Sequence, residues 1–130
     1  MKVEELEGEA LDYWVAKALG FAHTSASEAA FALDGQTDPC VFTTSSGKLR
    51  LAKADSVTAW NPSADWSCGG PIIERERVGI MPVGIEWKAY AIGDMDATAY
   101  GVEPLIAAMR AIVASKFGEE VEDAQPESAG

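Results

Sequence analysis

Apolar side chains recur at helical spacing near the start of the chain, between about Glu9 and Leu19. One arc of the helical wheel there holds the apolar residues Leu11, Trp14, Val15, Ala18 and Leu19. The opposite arc holds the charged residues Glu9, Asp12 and Lys17. Tyr13 also falls on the polar side, where it can cover a neighbouring loop, and Gly20 follows as a residue suited to ending a helix. The pattern predicts an amphipathic N-terminal helix whose charged side chains face solvent.

A second stretch at helical spacing runs from about Glu103 to Phe117. Its apolar arc is formed by Leu105, Ile106, Met109, Ile112, Val113 and Phe117. Pro104 suits the first helical position, and Gly118 suits the position after the last turn. We therefore predict a C-terminal helix, the most strongly patterned element of the chain.

Two basic residues of this helix are candidates for binding. Lys116 falls inside the apolar arc, where its ammonium can reach solvent and interact with the negative end of the helix dipole. The alternative is a buried lysine paired with a carboxylate such as Asp65 or Glu74. Arg110 lies at the edge of the arc, where its guanidinium can reach a carboxylate or a bound anion.

Alternating and β-branched runs predict strands in the second half of the chain. Residues 78–83 and 85–92 form two neighbouring runs with Gly84 at the bend. Both faces of the second run carry apolar side chains, so we expect the sheet to be covered on both sides. Gly93, Asp94 and the small residues after them predict a loop. The whole indicates an α+β fold, a small α-β-α sandwich whose short antiparallel sheet is covered by N-terminal, middle and C-terminal helices.

Residues 23–58 have the weakest pattern. Ser27 can cap a short helix that ends near Leu33. Residues 40–44 and 48–52 flank a Ser-Ser-Gly turn and predict a hairpin, with an irregular excursion as the alternative. His23, the only histidine, also lies here, and the sequence locates no partner with which it could form a catalytic triad.

A stretch rich in Trp, Gly and Pro, which we call the joint, spans residues 60–74. Its first residues predict a turn, after which either Ser63 or Asp65 can cap a helical turn. The Gly-Gly pair at 69–70 is expected to break that turn, and a second helix is expected to begin with the proline at position 71 and to run to residue 77. The joint therefore has a specified backbone course without a recognisable catalytic motif.

The joint and the last helix supply the candidate site residues. The candidates for ligand binding or interaction are Trp60, Asp65, Trp66, Gly69, Gly70, Glu74, Arg110 and Lys116. Asp65 and Glu74 are also the candidates for general acid–base catalysis, if one cleft holds both. A helix cap at Asp65 and ion pairs at Glu74 are the favoured structural roles. No catalytic residue, metal site or cofactor is therefore expected, and enzymatic activity is not favoured.

The charge of the chain argues against two classes of partner. Twenty-one acidic residues against ten basic ones give a net charge of −11, which disfavours nucleic-acid backbones and anionic membranes as partners. Two cysteines outside a CxxC spacing indicate neither a disulfide framework nor a zinc site. No apolar run approaches the roughly 20 residues of a membrane span, and the first residues lack the order of a signal peptide. We therefore expect a cytoplasmic protein.

The end of the chain differs from the rest in composition. Residues 119–130 hold five of the acids, no base and almost nothing apolar. Such a segment has little apolar surface to bury, so we predict an acidic disordered tail in which Val121 could hold a short edge segment. Residues 1–118 then form a single α+β domain.

Four segments together resemble a known family, the NinX-like phage proteins of unknown function. They are ALDYWVAKALG at 10–20, NPSADW at 61–66, GGPIIERE at 69–76 and EPLIAAMRAIVASKFG at 103–118. The chain departs from the family pattern at about residues 23–58, where it is longer and carries a variable insert. The order of elements also resembles, more distantly, a phage α-β-α sandwich domain. Neither resemblance brings a catalytic residue to this chain.

The resemblance implies a phage or prophage accessory protein that acts in the bacterial host cell. With no catalytic constellation, the leading hypothesis is a non-enzymatic module that binds a host or phage protein and forms a homo-oligomer. One alternative is a small enzyme, or a binder of a metal or small ligand, that uses Asp65, Glu74 and Arg110. The other is an acidic mimic of nucleic acid that targets a host defence enzyme.

Overall fold

The computed structural model describes residues 1–91 and 94–122, with the backbone alone for residues 94–96. This part of the chain has an α+β fold with four α-helices and seven strands, which confirms the predicted class. The helices are α1 (Gly8–Ala18), α2 (Ala26–Leu33), α3 (Trp66–Glu76) and α4 (Pro104–Phe117). The strands are β1 (Ala22–Thr24), β2 (Cys40–Thr43), β3 (Leu49–Lys53), β4 (Ser56–Ala59), β5 (Val78–Val83), β6 (Glu86–Ala91) and β7 (Asp94–Gly101). A short 3₁₀ helix (Val3–Glu5) precedes α1.

The strands form two small sheets, whereas the sequence predicted one. The first sheet has the order β1-β2-β3-β4 and contains the predicted hairpin as the antiparallel pair β2–β3. Strand β1 runs parallel to β2, and α2 makes the connection between them. Residues 23–58, which the sequence assigned to an insert, therefore hold most of a regular sheet.

The first sheet is covered by helices on both faces. On one face, α2 packs through small side chains, and the buried cluster there consists of Ala29, Ala32, Cys40 and Ala52. On the other face, Val41 and Leu49 are buried in the main core beside α1. This sheet has the two-sided cover that the sequence predicted for the strands at 78–92.

The second sheet has the order β5-β6-β7 and is antiparallel throughout. Its inner face packs on α4 through the buried residues Val78, Ala89, Ala91, Ala97 and Ala99. On its outer face Met81, Val83 and Tyr100 are exposed. Two-sided cover is therefore wrong for this sheet, because α1 packs against α4 and the first sheet instead.

The strand β7 lies where the sequence predicted a loop, so that prediction is wrong from Asp94 onwards. Its small residues are explained by the helix behind them. A Cβ atom placed on Gly101 would lie 2.8 Å from the backbone nitrogen of Ala107 in α4. Small side chains thus permit close packing of strand and helix. Gly93 lies outside the described residues.

Two further predictions about helices are corrected. The cap of α2 is Ser25, whose hydroxyl accepts a hydrogen bond from the N–H of Glu28 at 3.2 Å. Ser27 already lies within the first turn of this helix. In α1, Asp12 is buried although the helical wheel put it on the polar side, and Tyr13 is buried with its ring centroid 5.5 Å from that of His23. They are covered by parts of the chain that helical periodicity does not reveal.

The two ends of the described chain lie together. The N–H of Val3 donates to the carbonyl of Glu119, and the N–H of Val121 donates to the carbonyl of Met1, both at 2.9 Å. Val121 is buried, and the preceding residue, Glu120, forms an isolated antiparallel bridge with Lys2. Residues 123–130 of the predicted tail lie outside the described part.

Candidate functional site

The joint leads from β4 to α3, and buried polar contacts fix it to α1. The Trp60 side chain is only 4% exposed, and its indole Nε1–H donates to the backbone carbonyl of Asp12 at 2.9 Å. Its ring meets that of Phe21 edge-on, with the centroids 5.4 Å apart. The N–H of Ser63 donates to the Oδ1 atom of Asp12, also at 2.9 Å. Asp12 therefore holds the joint with both its main chain and its side chain.

Asp12 is a buried carboxyl group that the sequence pattern missed. Its side chain is 2% exposed. Burial raises the pKa of Asp12 to about 6, because the charged form loses its hydration; hydrogen bonds from Ser63 oppose this shift and the nearby charge of Glu9 adds to it. No local signal distinguishes a helical Asp that a distant loop will cover from one that faces solvent.

Helix α3 begins directly after Asp65. Of the two predicted capping residues, Ser63 and Asp65, it is therefore Asp65 that caps the helix. The Asp65 carboxylate accepts hydrogen bonds from the N–H of Ser67 at 2.8 Å and from its hydroxyl at 2.7 Å. These bonds favour the charged form and lower the pKa of Asp65. Ser63 instead bonds to Asp12, as described above.

The predicted helix break at residues 69–70 is wrong, because α3 continues through the Gly-Gly pair and Pro71 to Glu76. Gly69 is buried where α3 packs against Pro62, near the start of the joint, and against Leu105 of α4. A Cβ atom on Gly69 would lie 2.8 Å from Cδ2 of Leu105 and nearer still to the carbonyl oxygen of Pro62. Gly69 therefore serves close packing and not helix termination.

A groove of about 500 Å³ runs between α3 and the strands β3 and β4. Its apolar lining comes mainly from Leu19, Phe21, Leu51, Trp60, Pro71 and Ile72. Three charged residues also line it, and they are Lys53, Asp65 and Arg75. We call this space the groove. Its size and apolar floor with a few polar groups are typical of a binding site.

Comparison with known families places this chain among phage proteins. Residues 2–116 match the family model described as Bacteriophage P22, NinX. The chain belongs to this NinX family. No curated protein matches it at a significant level. Membership supports a phage accessory protein, as the resemblance in the sequence implied, and the matched range includes residues 23–58.

In this NinX-family protein the predicted site residues do not form one constellation. Trp60 and Asp65 line the groove, whereas Glu74 is exposed on α3 and is not part of its lining. Arg110 donates from Nε to the carbonyl of Leu6 at 2.9 Å and from Nη1 to that of Tyr100 at 2.7 Å. Its guanidinium thus ties the N-terminal segment to β7.

The remaining candidates also lie apart from a common pocket. The Trp66 side chain is 53% exposed at the start of α3, and Gly70 faces it, with the indole Cε3 atom 3.8 Å from a Cβ placed on the glycine. Lys116 is exposed in the last turn of α4, so it is not the buried lysine of the alternative prediction. In the described ranges, no three His, Cys, Asp or Glu side chains gather closely enough to hold a metal ion. None of the helices described is long and apolar enough to cross a bilayer.

The groove also contains the thiol of Cys68. Burial raises the pKa of Cys68, and the nearby charges of Asp12 and Asp65 raise it further, while a hydrogen bond from the backbone of Asn61 lowers it. The thiol is therefore protonated at neutral pH and is a poor nucleophile. Asn61 lies beside it in the groove, and its buried Oδ1 atom has no hydrogen-bond partner among the described residues.

We expect Cys68 to react several-fold more slowly with iodoacetamide than an unhindered peptide thiol at about pH 8, because less of it is thiolate. Intact-mass spectrometry over time measures this rate. Cys40, which is buried, should stay unmodified in the folded protein, so a Cys68→Ser variant should gain no adduct. A Cys68 rate equal to that of the peptide thiol would contradict the raised pKa.

Proposed function

We propose that this NinX-family phage protein acts inside the bacterial host cell by binding another protein. The groove takes an extended segment of that host or phage partner, which adds as a strand to the edge of β4. The observation that carries the proposal is an unpaired strand edge directly beside an apolar groove. Strand addition uses both features, since the main chain pairs with the edge while side chains enter pockets.

The free edge of β4 follows from the hydrogen-bond pattern of the first sheet. Strand β4 is the outermost strand of this sheet and pairs with β3 alone. The N–H of Trp60 donates to the carbonyl of Leu49 at 3.1 Å, in register with the β3–β4 pairing. Backbone groups alternate in direction along an antiparallel strand. The N–H and C=O groups of Thr58 therefore also point towards β3, while those of Val57 and Ala59 point away from the sheet.

The outer edges of the second sheet are blocked in ways that β4 is not. Strand β5 contains Pro82, which has no N–H to donate. At β7, the N–H of Tyr100 donates to the Glu4 carboxylate at 3.1 Å, and its carbonyl accepts from Arg110. Strand β4 reads Ser-Val-Thr-Ala, without proline or charge. Natural proteins protect most edges with such features, so the bare edge of β4 marks a place for a partner strand.

The lining of the groove indicates which partner segment fits. Phe21, Leu51 and Ile72 offer an apolar surface to one side chain of the segment. Lys53 and Arg75 supply two positive charges against the single carboxylate of Asp65, in a protein whose net charge is −11. Arg75 shares part of its charge with Glu76, at 3.1 Å between Nε and Oε2. We therefore propose an extended segment with an apolar residue next to an acidic one.

A library of displayed random peptides of about 12 residues, selected on the full chain, tests the proposal. We expect selected peptides to combine an apolar residue with neighbouring acids. Their binding should slow the reaction of Cys68 with iodoacetamide, because they cover the groove. A selection that yields no binding peptide, or only peptides that leave Cys68 equally reactive, would count against the groove.

The variant Val57→Pro separates strand addition from side-chain contacts alone. Proline removes an N–H that points outward, so the pairing of β4 with β3 keeps its hydrogen bonds. We expect the affinity for a selected peptide, measured by isothermal titration calorimetry, to fall at least about tenfold. Val57→Thr keeps the N–H and the β-branched shape, and it should bind like the parent. Equal affinities for the two variants, with both folded by circular dichroism, would exclude pairing at this edge.

A further inference from the structure

A second surface on this protein, distinct from the groove, is the outer face of the second sheet. Its residues form three rows across the strands, one of Met81, Lys88 and Tyr100, one that includes Val83 and Glu86, and one of Gly79, Tyr90 and Thr98. Met81, Val83 and Tyr100 are exposed, and Ile85 at the adjoining turn is 97% exposed. The helix with the most contacts to this sheet, α4, packs on the opposite, inner face, where Ala89, Ala97 and Ala99 are buried. We call the face of Met81, Val83 and Tyr100 the outer face.

The charges of the outer face are complementary to themselves. Glu86 and Lys88 lie on the central strand β6, two residues apart and on the same side. They are flanked by the exposed apolar side chains of β5 and β7. A two-fold axis that passes beside residue 87 would set Lys88 of one copy against Glu86 of the second, and the reverse. A patch that contacts its own copy must be complementary to itself, and this arrangement meets that requirement.

We infer that the outer face binds a second copy of this chain, which gives a two-fold homodimer with its sheets face to face. Apolar side chains exposed together on one face mark such contact surfaces. The blocked edges described above favour contact between faces over pairing of edges. This dimer leaves the groove and β4 free, so it does not depend on the function proposed for them.

The size of the outer face predicts how strong the dimer is. Three strands about 4.8 Å apart with about 3.3 Å per residue along six residues give a face of roughly 300 Å². Interfaces that hold stable complexes bury about 800 Å² on each partner. The face is at the small end even with the adjoining turn, and both copies are acidic. We therefore expect a weak dimer, with a dissociation constant on the order of 10–100 µM.

Reversing the two charges one at a time and then together tests the inference. Sedimentation equilibrium of the full chain at about 0.15 M salt, which screens the net charge, measures the dissociation constant. Lys88→Glu and Glu86→Lys should each weaken the dimer at least about tenfold, because each sets like charges opposite one another. The double variant, with Glu86→Lys and Lys88→Glu together, restores opposite charges and should return to within about threefold of the parent.

A separate variant tests the apolar part of the interface. Met81→Asp places a charge among the apolar side chains and should abolish the dimer, while Glu28→Gln, on α2 away from the outer face, should leave it unchanged. All variants should keep the parent's circular dichroism spectrum, since the side chains are at the surface. A parent chain that stays monomeric up to about 1 mM, or a double variant as weak as the single ones, overturns the inference. If the parent chain is a monomer, the outer face does not bind a second copy and is a candidate surface for a different protein.

Discussion

Replacing Gly69 with alanine should lower the free energy of unfolding by about 3 kcal/mol, at the upper end of the range for overpacked cores. The new methyl group would meet the carbonyl oxygen of Pro62 and lie 2.8 Å from Cδ2 of Leu105. Neither neighbour moves easily, because one is backbone and the other is a buried side chain of α4. Urea denaturation followed by tryptophan fluorescence measures the change.

Gly70 supplies a matched control one residue along the same helix. A Cβ atom on Gly70 would lie 3.8 Å from Cε3 of Trp66, which is an ordinary contact. Alanine is preferred over glycine inside a helix, so Gly70→Ala should raise the free energy of unfolding by about 0.5–1 kcal/mol. The two substitutions thus have opposite signs for the same chemical change. If Gly69→Ala were also stabilising, α3 would not pack against Pro62 and Leu105 as closely as the structure has it.

The close packing at Gly69 explains why the predicted break in α3 was wrong. Glycine pairs in a sequence commonly signal the end of a helix. Here Gly69 is small because another backbone passes next to it, which is a property of the folded chain and not of the local stretch. The strand β7 was missed for the same reason, since Ala97, Ala99 and Gly101 lie against α4. Local rules treat small residues as flexible, although in this fold they serve close packing.

Elements with a strong amphipathic pattern were predictable. The helices α1 and α4, the pair β5–β6 and the hairpin β2–β3 lie within one residue of their predicted bounds. These elements bury one face against a broad core, so the period of their apolar residues carries the information. The strand β4 and the pairing of β1 with β2 have no such signal, because they are short and the second depends on a connection through α2.

The candidate site was predictable in place but not in composition. The joint does line the groove through Trp60 and Asp65. The opposite wall comes from β3 and β4, which the sequence put in an insert or left unassigned. Asp12 was hidden because a helical wheel counts residues in one helix only, whereas the cover over this carboxyl comes from Ser63, 51 residues later. Contacts at such separation leave no periodic trace in a single sequence.

The buried Asp12 predicts a dependence of stability on pH. Its pKa is raised from 3.8 to about 6 in the folded state, so folding favours the protonated carboxyl. This contribution to stability is fully present below about pH 4, falls as the pH rises between the two pKa values and stays lost above about pH 6. A shift of this size corresponds to about 3 kcal/mol. Asp12→Asn cannot ionise and keeps an oxygen to accept the hydrogen bond from Ser63.

We therefore expect Asp12→Asn to be more stable than the parent by about 2–3 kcal/mol at about pH 7.5, with the difference shrinking towards zero near pH 4. Taking the difference between variant and parent at each pH cancels the titration of the other carboxylates. Urea denaturation at about pH 4, 5, 6 and 7.5 provides the values. A difference that stays constant over this range would show that Asp12 has an ordinary pKa in the folded protein.

Asp65→Asn is the matched control, because Asp65 has a shift of the opposite sign. Its folded pKa is lowered by the bonds from Ser67, so its contribution to stability is present above its ordinary pKa of 3.8 and is lost as the pH falls through the folded value. The difference between Asp65→Asn and the parent should therefore not change between about pH 5 and 7.5. A difference that changes with pH for Asp12→Asn but not for Asp65→Asn would tie the pH dependence to the burial of Asp12 beneath the joint, and not to the net charge of −11.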